Sequence, residues 1–97
     1  MTTQTPASVE VRVPSMLRAA TAGEKVVRAE GGNVRQVLED LTQRYPGFGQ
    51  GLFGPDGQLR EFVNVYVNDE DIRYLGKLDA PVRSGDTVSI LPAVAGG

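Results

Sequence analysis

The residues best able to do chemistry stand at the end of the chain, Leu91-Pro92-Ala93-Val94-Ala95-Gly96-Gly97, which closes on a Gly-Gly carboxylate. The 97 residues contain no cysteine and no histidine. Those absences exclude zinc ribbons, iron–sulfur clusters, thiol catalysis and every serine triad that uses histidine. Hydroxyls, carboxylates, amines and the terminus remain, and the terminal carboxylate is as good a candidate as any side chain. Gly96 and Gly97 lack a Cβ and let another protein's active site approach the backbone closely. Ala93, Val94 and Ala95 are slender, and no charge except the carboxylate need be desolvated on the way into a channel. Beyond Leu91 the extended chain spans roughly 20 Å, at about 3.3–3.6 Å per residue. The competing reading is a frayed terminus or an expression scar, since chain ends are commonly disordered.

Two further patterns invite chemistry and fail on context. Gly49-Gln50-Gly51-Leu52-Phe53-Gly54 matches G-x-G-x-x-G, but it follows a helical pattern and runs into Pro55-Asp56-Gly57. A dinucleotide site needs a strand before the glycines and a helix after them, so the stretch reads as a flexible loop. Asp69-Glu70-Asp71 lacks the spacing and the glycine of a calcium loop and reads as a solvated hairpin turn.

The elements that must hold the tail follow from periodicity. Val9, Val11 and Val13 alternate with Glu10 and Arg12 as a half-buried strand that Pro14 ends. Residues 15–23 read as a connecting loop anchored by Leu17, and residues 25–30 as a second strand hairpinned to the first. Asn33 suits an N-cap with Gln36 three residues on. Val34, Val37, Leu38, Leu41 and Tyr45 then form one apolar helical stripe, stopped by Tyr45-Pro46-Gly47. Residues 48–59 read as a glycine-rich connection pinned by Leu52 and Phe53. Residues 61–68 read as the strongest strand, with Val63, Val65 and Val67 inward and Tyr66 outward. A tight turn at 68–71 leads into a short return strand through Ile72, Arg73 and Tyr74. Ser84-Gly85-Asp86 turns into a last strand, which Pro92 ends by removing a backbone donor.

One helix and five strands make a two-layer α+β domain, with residues 1–7 as a disordered leader, 8–91 as the domain and 92–97 as a flexible reactive tail. The expected core is Val9, Val11, Val13, Val26, Val34, Val37, Leu38, Leu41, Val63, Val65, Val67, Val88 and Ile90, with little room for an enclosed pocket. Ten basic and twelve acidic residues are scattered along the chain, so no basic stripe suggests nucleic acid. No secretory segment and no membrane-length apolar run is present, which makes a soluble cytoplasmic protein the expectation.

Three blocks in register carry a resemblance across residues 9–97. They are Phe62-Val63-Asn64-Val65-Tyr66-Val67-Asn68-Asp69-Glu70-Asp71, then Gly85-Asp86-Thr87-Val88, then Ile90 through Gly97. The chain resembles the ubiquitin-like β-grasp sulfur carriers of the MoaD/ThiS family, most closely the branch serving cysteine synthesis. The resemblance implies a mixed sheet packed on one main helix. It also implies a protein-borne carrier rather than an enzyme, with no bound cofactor. An E1-like adenylyltransferase of the MoeB/ThiF type would use ATP to adenylate Gly97, and a sulfur donor would displace AMP to leave a thiocarboxylate. A PLP-dependent cysteine synthase or another sulfur-accepting synthase would take the sulfur, and a metalloprotease would release cysteine from the carrier. Related carriers serve molybdopterin, thiazole or thiosugar synthesis. Leu91 corresponds to an apolar residue that relatives bury against the E1-like partner. Arg12, taken as its sheet-mate, is polar where some relatives carry an aromatic, and Tyr66 suits the same docking surface. The alternatives are a ubiquitin-like modifier forming isopeptide bonds through Gly97 and a β-grasp interaction module with an incidental tail.

Overall fold

The computed structural model describes residues 7–60 and 63–92. The expected leader up to Pro6, the Glu61 start of the third strand and the tail residues Ala93, Val94, Ala95, Gly96 and Gly97 lie outside the described residues. Five strands and two helices organise the rest: β1 (Ser8–Arg12), β2 (Val26–Glu30), α1 (Val34–Arg44), α2 (Phe48–Leu52), β3 (Val63–Val67), β4 (Glu70–Asp71) and β5 (Thr87–Pro92). The sheet order is β2-β1-β5-β3-β4, with β1 and β5 parallel and the other pairs antiparallel. The last strand is thus the central one.

Helix α1 forms where its stripe demands. Val34, Val37, Leu38 and Leu41 are all fully buried. The Asn33 side chain accepts from the Gln36 backbone N–H at 2.9 Å, and Gln36 Oε1 accepts from the Gly32 N–H at 2.7 Å. The reciprocal cap closes one residue earlier than a capping box, and it still satisfies two donors at the helix start. The stripe lies on the sheet face lined by Val9, Val11, Val65, Val88 and Ile90, each 0–1% exposed. This is the β-grasp, two layers with one main helix across a mixed sheet.

Several details depart from expectation. Val26 is 47% exposed, and Val27 and Ala29 take the core positions of β2. The pairing explains it: Val27 stands opposite Val11 and Ala29 opposite Val9, so Val26 falls on the other face. Residues 15–21 form a 3-10 helix that buries Leu17 and Thr21, where a loop was expected. Ala7, placed in the leader, accepts from the Gly31 N–H at 3.0 Å.

The glycine-rich connection is no loose loop either. Its first half is α2, and Phe48 and Leu52 are fully buried within it. A Cβ on Gly49 would lie 2.8 Å from Thr42 Cγ2, and one on Gly51 would overlap Leu17 Cδ2. These glycines let a short helix pack tightly against its neighbours. The return strand is only β4, because Ile72, Arg73 and Tyr74 turn into a 3-10 helix. The Asp71 carboxylate accepts from the Arg73 backbone N–H at 2.9 Å and draws the chain out of the ladder.

Candidate functional site

The candidate site is built on the end of β5, the last of the described residues. β5 continues through Pro92, which stands opposite Val63, rather than stopping before it. The ladder shows why proline is tolerated there. The Asn68 N–H donates to the Thr87 carbonyl at 2.9 Å, which makes that position a hydrogen-bonded pair. Alternation along the antiparallel ladder then makes Asn64–Leu91 a hydrogen-bonded pair and Val63–Pro92 a non-bonded one. β1 has already ended at Arg12, so neither neighbour asks Pro92 for a donor.

The three residues chosen as a docking surface fall on adjacent strands of the open face, away from α1. Arg12 and Tyr66 both stand in register with Ser89, one from each side of β5. Arg12 is therefore the sheet-mate of Ser89 and not of Leu91, whose partner is Asn64. Leu91 lies two residues past Ser89 on the same face and is 46% exposed. The row continues outward in both directions. Val26 pairs with Arg12 and Asp71 pairs with Tyr66, so Val26, Arg12, Ser89, Tyr66 and Asp71 cross all five strands in one line.

Sequence reasoning missed the ion pair at the end of this row. Arg73 Nη2 lies 2.7 Å from Asp71 Oδ2, and Arg73 Nε donates to the same carboxylate at 3.1 Å. The side-chain hydrogen bond from Arg73, then the bond from its backbone N–H, hold the Asp71 carboxyl below its ordinary range. The same contact raises the Arg73 guanidinium still further. The i, i+2 spacing of Asp71 and Arg73 was the only signal available, and it became informative once the 3-10 turn folded the side chains together.

A second polar cluster fixes the hairpin beside β5. Asn68 and Asp69 take φ values of +49° and +72° and form the two-residue loop between Val67 and Glu70. Asn68 Nδ2 donates to Asp86 at 2.9 Å, and Asp86 also accepts from the Arg83 backbone N–H at 2.8 Å. Those two bonds, the Asn68 side chain first, lower the Asp86 carboxyl. Asp69, Glu70 and Asp71 are thus a turn and a paired carboxylate. Among the described residues no group of three His, Cys, Asp or Glu side chains is placed to hold a metal ion, and no helix is long and apolar enough to cross a membrane.

The central strand β5 ends the described residues at Pro92, beside an open face with exposed Leu91 and half-buried Tyr66. Comparisons with known proteins place the chain in a family. Over 92 residues the chain is 47% identical to the sulfur carrier protein CysO of Mycobacterium tuberculosis, covering 93% of this chain and 99% of that protein. Its fold matches a chain in the crystal structure of the Amycolatopsis orientalis BexX/CysO complex with a TM-score of 0.84. That match is 48% identical and covers 92% of this chain and 99% of the other. The solution structure of small archaeal modifier protein 1 from Methanosarcina acetivorans also matches, with a TM-score of 0.84 at 31% identity, covering 97% of this chain and 100% of the other. The ThiS family model matches residues 11–97. The chain belongs to the ThiS family and is a homologue of the sulfur carrier protein CysO.

Proposed function

We propose that this protein carries sulfur on the C-terminal carboxylate of Gly97, which an E1-like enzyme of the MoeB/ThiF type adenylates with ATP. Adenylation converts a poor electrophile into an acyl group with AMP as leaving group, and a sulfur donor displaces AMP to leave a thiocarboxylate. The acceptor is a PLP-dependent cysteine synthase, and a metalloprotease frees the cysteine formed on the carrier. Delivery to a thiosugar, molybdopterin or another sulfur-containing metabolite uses the same terminus with a different acceptor. The protein is then a substrate of its partners and no enzyme itself. It binds no cofactor of its own, and the cytoplasm, where ATP and these synthases meet, is its place.

The observation that carries the reading is the family match running to residue 97 in a chain without cysteine. With no thiol to hold a persulfide, sulfur must be borne by the terminus. Support for docking comes from Arg12, Tyr66 and Leu91, which share one face on adjacent strands. That patch seats the partner while Pro92, Ala93, Val94, Ala95 and Gly96 enter its active site.

The test is intact mass after incubation with an E1-like enzyme, ATP and a sulfur source. The expected product is heavier by sulfur in place of oxygen and reverts on hydrolysis. The similarity to small archaeal modifier protein 1 favours a second reading, a modifier, and finding only isopeptide conjugates to lysine would establish that instead. Deleting Gly97, or adding one residue after it, should abolish activity. Full activity in both variants would leave only a binding module.

A further inference from the structure

Two large apolar side chains of the open face are exposed, Val26 at 47% and Leu91 at 46%. Arg12 stands between them. Val26 is its partner on β2, and its partner on β5 is Ser89, two residues before Leu91. The Arg12 side chain is exposed and makes no hydrogen bond or ion pair with any described residue. The other charged side chains of its row, and those of β1 and β2 on the same face, are matched. Asp71 is held by Arg73 at 2.7 Å, Glu30 by Arg44 at 3.3 Å, and Glu10, two residues back along β1, faces Arg28 at 4.0 Å. Arg12 is the one charge among them without a counterpart.

Beyond Arg12 the row runs through Ser89 and Tyr66, both half-buried and neutral. Serine is the smallest side chain of the row, so the space above Ser89 is bounded by Arg12 on one side and Tyr66 on the other. Their strands are two spacings apart, about 10 Å at about 4.8 Å each. A partner that covers Val26 and Leu91 covers Arg12 as well. Withdrawing a guanidinium from water with no opposite charge is strongly unfavourable, and two half-exposed aliphatic side chains regain little of that loss. A carboxylate placed over Ser89 reverses the sign, because it accepts two parallel N–H bonds from the guanidinium. The Ser89 and Tyr66 hydroxyls stand ready as further donors. A basic or purely apolar surface is penalised at the same spot, so Arg12 discriminates between partners.

We propose that the activating enzyme docks on this face with an Asp or Glu side chain seated over Ser89, between Arg12 and Tyr66, and that Arg12 thereby selects which enzymes of that class accept this carrier. The choice of partner rests on the proposed activation of Gly97. The experiment measures, by isothermal titration calorimetry, the affinity of the full chain for the E1-like adenylyltransferase of the same organism, in the parent, Arg12→Met and Arg12→Lys proteins. Methionine keeps the length and removes the charge, and at an exposed position all three should unfold at about the same temperature. Facing a carboxylate, Arg12→Met should bind at least about thirtyfold more weakly, because the partner's charge is left buried and unpaired. Arg12→Lys should fall between the two, keeping the charge and losing the fork. Changing the enzyme's surface carboxylates to amides one at a time should find one that abolishes the difference between parent and Arg12→Met. An Arg12→Met protein that binds as tightly as the parent, or more tightly, would overturn the proposal, since the enzyme would then offer apolar surface or water there. Finding no such carboxylate would overturn it too. In both cases a parent protein that still gains the thiocarboxylate mass leaves the proposed function standing, whereas a parent that neither binds nor is adenylated overturns both.

Discussion

Gly51→Ala distinguishes a packed α2 from a flexible glycine loop by the sign of its effect. In an exposed helix interior, alanine gains about 0.8–1 kcal/mol over glycine, and at position four of a five-residue helix the gain is smaller. In a flexible loop the same change stiffens the unfolded chain and adds about 0.4–1 kcal/mol of stability. Both effects predict a neutral or stabilised protein. The packing predicts the reverse. The new Cβ would overlap Leu17 Cδ2, and Leu17 is itself only 7% exposed and held in the core. Overpacking of this kind costs about 1–3 kcal/mol, so the net is a loss of about 0.5–2 kcal/mol after the helix gain. For a domain of this size, that lowers Tm by roughly 2–16 °C, at about 4–8 °C per kcal/mol. Thermal unfolding followed by far-UV circular dichroism reads the change. Leu17→Val shortens the obstructing side chain, so the double variant should lose less than the two single losses added, with a coupling of at least about 0.5 kcal/mol. A Gly51→Ala protein as stable as the parent, or more stable, would refute the packing argument.

Two further outcomes follow from the electrostatics and the open face. Asp86 has its folded pKa lowered by the Asn68 side chain and the Arg83 N–H, so its contribution is present above the unfolded carboxylate value of about 3.9 and disappears as pH falls through the lower folded value. Urea unfolding between pH 7 and pH 3 should therefore show a shallower acid loss in Asp86→Asn than in the parent, and equal slopes would contradict the assignment. Leu91→Glu, at a half-exposed position, should change stability by no more than about 0.5 kcal/mol. It should still weaken binding to the activating enzyme at least about tenfold, since an unpaired buried carboxylate costs more than the about 1.4 kcal/mol that tenfold requires. Unchanged affinity in both Leu91→Glu and Tyr66→Ala would remove the open face from the docking surface.

Strong single-period signals were legible from sequence, and tertiary decisions were not. The α1 stripe at 34, 37, 38 and 41 and the alternating valines of β3 point one way only, and each of those residues is buried. In β2 two valines stand side by side, so alternation alone cannot choose between Val26 and Val27. The choice belongs to Val11 across the ladder. Phe48 was hidden because the glycines around it suggest a loop, whereas their lack of side chains is what admits a tight helix against Thr42 and Leu17. The 3-10 turn after β4 is decided by one carboxylate capturing one N–H, a competition that no residue pattern displays. The candidate docking residues were legible as an outward strand face, but their common register through Ser89 required the pairing of three strands. Gly97 as the proposed reactive group was reached by elimination, since a chain without cysteine or histidine leaves few groups to choose from, and it lies outside the described residues.

The central position of β5 has a mechanical consequence. On the proposed function, a partner that draws on the chain beyond Pro92 would pull along the strand axis, and the load would pass at once into the parallel ladder with β1 and the antiparallel ladder with β3. Force along a strand shears its hydrogen bonds together, whereas force across an edge strand opens them one after another. The sheet would therefore act as a stiff handle. Under that proposal, repeated loading would leave the anchorage of β5 between β1 and β3 intact.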